Sequence, residues 1–440
     1  MGTMSEIVRQ IPVETLHSRV TVFEEQATPS ESTSGEEKIS QKLERQIKKI
    51  ERKAERKVRR RAALPAALGI AALAWSSVSF ALQSDIEANR QKAAESQPEI
   101  ETIGNSAELD LGDSSIFYLA GFDTKDGSVF GDRLSIAIHQ IVPGENESIN
   151  YGDAPLEPEE IAKKIIEYAQ EKGLGSISLA GNSLGGIVSM KVAEYIILNS
   201  YLEIDAVILN ATPDGSAGLR PETQSDLATM MDVLEKIKDS KYSSYARYAM
   251  TMVQESGNYI DQKAGFNLGD FINTSNNVIE QVQEHRRPGM WLVVDQALAV
   301  TNADMKEMIT NIGKQRGEKR MPVIVSMRTQ NPADDTVVNV EKSSNNICEY
   351  AEKADIDCTI IEVPGAIHTS YQFDTDAFKA AVAPEAEHIK DSIASEAASY
   401  AITLYNNWAL PGERGQEYQQ NYQQYPSQVE AQEQDDTAEQ

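Results

Sequence analysis

Residues 176–199 read SISLAGNSLGGIVSMKVAEYIILN: a short apolar run, a serine between glycines, then the apolar period of a helix. Gly181-Asn182-Ser183-Leu184-Gly185 fits G-x-S-x-G at the junction. A serine there is lifted clear of the strand end on a sharp, strained turn, and side chains at positions 181 and 185 would collide across it. Few folds tolerate such a junction, so it constrains the rest of the chain more than any bulk property does.

The surrounding sequence alternates apolar runs with helical patterns. SSIFYLAG (114–121), LSIAIHQI (134–141), SISLAG (176–181), DAVILNA (205–211), MPVIVSM (321–327) and CTIIEV (358–363) read as strands. Helices are expected over 158–173, ending at a glycine, over 184–199, and over 376–404. This alternation predicts an α/β class, with a doubly wound, mostly parallel sheet. Residues 215–318 break the rhythm with helical material alone and read as a helical cap over the C-terminal edge of the strands. The cap divides the core into two stretches of chain, 113–214 before it and 319–410 after it.

The elbow in this setting resembles that of the α/β-hydrolases, and the likeness covers roughly residues 114–404. It implies a Ser-His-Asp mechanism with Ser183 as nucleophile and the other two members following in the order acid, histidine. Three histidines lie downstream. His368, in EVPGAIHTSYQF just after the last expected strand, suits the base, whereas His285 in QVQEHRRPG and His388 in EAEHIKDS sit among charged residues on helices. The run RTQNPADDTVVN resembles the D-x-V-V pattern after the penultimate strand of that family, which points to Asp335, with Asp334 and Asp214 as rivals. Backbone N–H groups of Leu184 and Phe122 correspond to the family's oxyanion donors. Ala120 stands where many relatives carry a histidine before the glycine.

The implied activity is hydrolysis of a carboxylic ester, small-molecule or lipid, through a covalent acyl-enzyme. An amidase or peptidase of the same fold, or a non-catalytic tethered scaffold, are the alternatives. No cofactor and no metal site are expected. Met230, Met231, Met250, Met252, Met290, Met305 and Met308, with Trp291, suit either an acyl-chain pocket or an ordinary helical core. Gly112-Asp113-Ser114 precedes its strand without a partner and reads as chance.

Charge separates the two ends of the chain. Of 41 Lys/Arg and 68 Asp/Glu, residues 1–61 hold 14 and 10, leaving 27 against 58 beyond them. That acidity repels phosphate backbones and excludes nucleic acid as a partner. Residues 62–82 are uncharged for 21 positions, long enough to span a bilayer, and follow KKIERKAERKVRRR. Positive flanks stay cytoplasmic, so a retained anchor puts residues 83–440 outside. Cleavage of a signal peptide near Ser79 and Ala81 is the alternative. Before the span, Leu43, Ile47, Ile50, Ala54 and Val58 mark one face of a basic helix over 38–61, and residues 1–37 read as disordered. Residues 83–112 read as a linker, and the Gln/Glu-rich 411–440 as a disordered tail. Cys348 and Cys358 are the two cysteines, expected as one disulfide in an oxidising compartment or as two buried thiols.

Overall fold

The computed structural model describes residues 79–103, 114–236, 240–258, 260–261, 265–266, 268–283, 288–368 and 375–409. The expected disordered N-terminus, the basic helix, all but the last four residues of the apolar span, His285 and the C-terminal tail lie outside them. Among the described residues no helix is long and apolar enough to cross a membrane.

A seven-stranded sheet organises the domain. Its strands are β1 (Glu99–Thr102), β2 (Ser114–Leu119), β3 (Glu145–Asn150), β4 (Ser176–Asn182), β5 (Glu203–Asn210), β8 (Val323–Thr329) and β9 (Cys358–Val363). Two short strands, β6 (Ile260–Asp261) and β7 (Gly265–Phe266), form a separate hairpin. The sheet order is β1-β3-β2-β4-β5-β8-β9, with β1 antiparallel at one edge and every other pairing parallel. Parallel strands are covered on both faces, so they read as nearly continuous apolar runs. Side chains alternate accordingly. Phe117, Leu119, Leu179 and Val207 face one core cluster, while Ile116, Tyr118, Ala180 and Ile208 face the other. Each such side chain taken fully from water contributes about 1.5–3 kcal/mol.

On the first face lie α3 (Pro158–Lys172), α4 (Leu184–Asn199), α8 (Met290–Thr301), α9 (Met305–Gly313) and α10 (Val340–Lys353). The second face is covered by α2 (Ser128–Ile138), α11 (Thr375–Val382) and α12 (Ala386–Ala409). The last two occupy the region expected as one helix over 376–404. Pro384 sits in the break between them, where it cannot continue a helix.

Three expectations are corrected. LSIAIHQI is not a strand: residues 128–138 form α2, whose buried Phe130, Leu134, Ala137 and Ile138 follow helical spacing while Ile136 is 55% exposed. The strand is instead β3, ENESIN, which is disguised by polar residues although Glu147 and Ser148 are fully buried. Residues 83–103 are not a linker, because α1 (Ser79–Glu95) and β1 dock on the domain. β1 pairs with β3, and α1 adds polar contacts to its buried Ala93: Asn89 Nδ2 donates to Tyr242 O at 2.8 Å, and Lys92 Nζ meets Asp153 Oδ2 at 2.6 Å. No apolar stripe advertises a helix held that way.

The third correction concerns the cap. Trp291, Leu292, Met305, Met308, Ile309 and Ile312 are buried in the main cluster, so α8 and α9 belong to the core layer. What remains for a cap is α5 (Pro221–Lys236), α6 (Ser244–Gln254), the hairpin and α7 (Leu268–Gln283). Met252 packs there in a small cluster of its own with Val278, Tyr248 and Phe271. Met290, Met305, Met308 and Met252 thus fill core positions.

Candidate active site

The junction between β4 and α4 holds Ser183 at φ 53°, ψ −117°, outside the regions an L residue ordinarily occupies. Its glycines have the steric role expected of them. A Cβ on Gly181 would lie 2.2 Å from the carbonyl oxygen of Gly185, and one on Gly185 2.2 Å from that of Leu119. Ser183 N donates to Asn210 O at 2.7 Å, and Asn210 Nδ2 to Asn182 Oδ1 at 2.8 Å, which ties the turn to the end of β5. The serine is 8% exposed.

His368 stands on the loop after β9, and its Nδ1 lies 2.8 Å from Asp335 Oδ2. Asp335 is 1% exposed, on the loop after β8, and its Oδ1 accepts from Val337 N at 2.9 Å and Val338 N at 2.7 Å. A carboxylate that accepts at both oxygens leaves Nδ1 as the protonated ring nitrogen and Nε2 as the one with a lone pair.

The rival acids are engaged elsewhere. Asp334 is exposed and accepts from Asn331 Nδ2 at 2.9 Å. Asp214 receives Ser343 Oγ at 3.1 Å and Asn346 Nδ2 at 2.6 Å, on the side of α10. His388 is exposed on α12.

Leu184 opens α4, so its N–H has no partner within the helix. Phe122 lies on the turn after β2, and that turn touches the elbow: a Cβ on Gly121 would sit 3.1 Å from Asn182 Nδ2 and 3.7 Å from Ser183 Cβ. Both N–H groups thus belong to segments that meet at Ser183.

Several residues around these loops give no signal in the sequence. Arg220, just before α5, donates through Nε to Asp335 O at 3.1 Å and through Nη2 to Pro332 O. Gln296, on α8, accepts from Asp123 N at 2.9 Å and donates to Thr124 O at 3.0 Å. Arg247, on α6, pairs with the carboxylate of Asp123. All three act across more than a hundred positions, where no local pattern can announce them. Among the described residues no group of His, Cys, Asp and Glu is arranged to hold a metal ion. Cys348 on α10 and Cys358 at the start of β9 are joined as a disulfide, their Cα atoms 5.3 Å apart.

No family model matches the chain, and no curated protein matches it in sequence. Solved structures align with it at low similarity. A soluble variant of monoglyceride lipase from Saccharomyces cerevisiae is 14% identical at a TM-score of 0.41, with 67% of this chain and 91% of that one covered. A lipase-esterase related protein from Clostridium acetobutylicum is 12% identical at 0.39, covering 67% and 100%. A carboxylesterase from the thaumarchaeon Nitrososphaera gargenis is 10% identical at 0.37, covering 69% and 95%. At that distance the chain's own strand order, its strained serine turn between β4 and α4, and the loops after β8 and β9 carry the assignment. The chain has the α/β-hydrolase fold.

Proposed function

We propose that the chain is a serine hydrolase acting on carboxylic esters, small-molecule or lipid, through a Ser183-His368-Asp335 triad. The observation that carries this reading is the 2.8 Å contact from His368 Nδ1 to a buried Asp335, in a fold whose elbow presents Ser183. With Nδ1 protonated, Nε2 takes the Ser183 proton as Oγ attacks the ester carbonyl. The N–H groups of Leu184 and Phe122 receive the developing oxyanion. His368 then returns the proton to the leaving alcohol, and a water activated by the same nitrogen releases the acid from the acyl-enzyme. Asp335 fixes the ring and stabilises the imidazolium.

The same reading puts the domain outside a membrane, held by residues 62–82 with the basic stretch inside. The Cys348–Cys358 pair supports an oxidising compartment.

Full-length protein treated with a fluorophosphonate probe tests the chemistry. Labelling of the wild type and none of Ser183→Ala is expected, together with hydrolysis of nitrophenyl esters. An unlabelled wild type, or equal labelling of the alanine variant, overturns the triad. Protease accessibility of residues 83–440 from the outer face of intact cells tests the orientation.

A further inference from the structure

We infer that Arg247 is a positioning residue for the oxyanion loop, acting from the cap through Asp123. The inference rests on the triad reading above and deepens it. Phe122 supplies the second oxyanion donor in that reading, and Asp123 is the very next residue. Asp123 has φ 62°, a left-handed conformation that is uncommon outside glycine and that aspartate tolerates better than most residues.

Two elements from beyond β5 hold Asp123 in place. The Asp123 N–H is taken by Gln296, which is fully buried on α8, a helix sunk in the main core through Trp291, Leu292 and Val300. The Asp123 carboxylate is taken by Arg247 Nη2. Arg247 is 2% exposed and the Asp123 side chain 17%. A guanidinium stays charged at any working pH, so a pair this buried persists as a charge-assisted contact. Breaking one member leaves the other charge in a poor environment.

The backbone of the loop is closed from within by Thr124 Oγ1, which donates to Gly121 O at 2.6 Å, and is gripped again from α8, where Gln296 Nε2 donates to Thr124 O at 3.0 Å. Residues 121–124 are thus pinned on both sides of Phe122. Rotation of the Phe122 peptide would swing its N–H away from the oxyanion, and the Arg247–Asp123 pair is the tie that comes from the cap. Arg247 itself is fixed in the first turn of α6, which begins where Asp85 of α1 accepts from Ser244 N at 3.0 Å.

A tie of this kind acts on the transition state more than on substrate binding, because the oxyanion exists only after attack. The test uses the full chain and four variants: Arg247→Met, Arg247→Lys, Asp123→Asn, and the double change Arg247→Met with Asp123→Asn. Ester turnover is measured beside inhibition by a trifluoromethyl ketone, which forms a tetrahedral oxyanion on the serine. The expected result is a fall in kcat of about 10- to 100-fold for Arg247→Met, below the loss seen when a donor is removed outright. KM should stay within about threefold, ketone affinity should weaken by the same factor as kcat, and Arg247→Lys should recover part of the loss. Asp123→Asn should match Arg247→Met, and the double variant should be no worse than either.

A folded Arg247→Met with wild-type kcat overturns the inference. So does a variant whose kcat falls while ketone affinity is unchanged. Where Arg247→Met does not accumulate, Asp123→Asn and Arg247→Lys carry the same comparison. A wild type inert toward both probe and esters brings down the triad reading and this inference with it. An active wild type with unaffected variants brings down this inference alone.

Discussion

At the elbow, Gly181 and Gly185 are held by backbone against backbone: the strand end, the start of α4 and the carbonyl of Leu119 approach so closely that no Cβ fits at either. The loop over 120–125, which faces the same serine, is held by side chains reaching in from elsewhere: Gln296 from α8 and Arg247 from α6. One region is fixed by exclusion and the other by polar ties. Exclusion is local and leaves a pattern in five consecutive residues. Polar ties join positions separated by 124 and 173 residues and leave none.

The hardest blow to the excluded region is Gly185→Ala. Its new Cβ would meet Leu119 O at 2.2 Å and Ala120 O at 2.6 Å, both on a buried strand end that cannot give way alone. The expected outcome is a loss on the order of 4 kcal/mol or more, enough to deplete soluble folded protein, read by thermal melting of whatever remains. A variant that melts like wild type would show that backbone contact is not what holds the elbow.

The acid loop lies between the two cases. Asp335 accepts from two N–H groups of its own turn, and its backbone carbonyl is also reached by Arg220, just before α5. Asp335→Asn should keep the turn and lower kcat by about 10³ to 10⁴, because the amide no longer favours Nδ1–H on His368. Asp334→Asn should leave kcat within about twofold. Steady-state ester hydrolysis by the two variants decides between the neighbouring acids.

How much of the molecule is legible in its sequence follows the same division. The strands β2, β4, β5, β8 and β9 announce themselves as apolar runs because both faces of a parallel sheet are covered, and Ser183 announces itself through its glycines. Asp335 and His368 emerge only through a family likeness, which supplies the order of loops that the residues alone do not fix. The α2 and β3 segments mislead in opposite directions. Leu134, Ile136 and Ile138 alternate like a strand although Ile136 faces solvent, and β3 hides two buried polar residues in its interior. The polar contacts of α1 and the grips of Arg220, Arg247 and Gln296 join distant positions, so composition and period are blind to them. A cap over all of 215–318 is too wide for a related reason: α8 and α9 are helical in sequence, but only their burial shows that they belong to the core.

A milder change probes the polar side at its outer end. Asp85 accepts from both the N–H and the hydroxyl of Ser244, at 3.0 and 2.8 Å, and so caps the helix that carries Arg247. Loss of such a cap costs about 1 kcal/mol. Asp85→Ala should therefore lower Tm by a few degrees with kcat falling less than in Arg247→Met. A drop in kcat as large as that of Arg247→Met would mean that α1, and not only the cap, governs the oxyanion loop.

The smallest effect concerns what a buried polar tie costs. Glu147 on β3 is fully buried and accepts from Tyr168 Oη at 2.5 Å. Burial pushes its carboxyl pKa above the usual range and Glu145 adds to the rise, while the bond from Tyr168 and the charge of Lys172 pull it back. A pKa raised by folding means that the folded state holds the proton more tightly than the unfolded chain does. The contribution is therefore fully present below the unfolded carboxylate value, about 4.3, and is lost as pH rises through the raised folded value. Glu147→Gln keeps an oxygen to accept from Tyr168 and removes the titration. Its Tm should exceed that of wild type near pH 7.5, and the gap should close as pH falls toward 4.5. A gap that is independent of pH, or a Gln variant less stable at neutral pH, would show that the ionised carboxylate is itself a stabilising tie. Glu147 would then join Asp123 as a charge that the fold uses rather than tolerates.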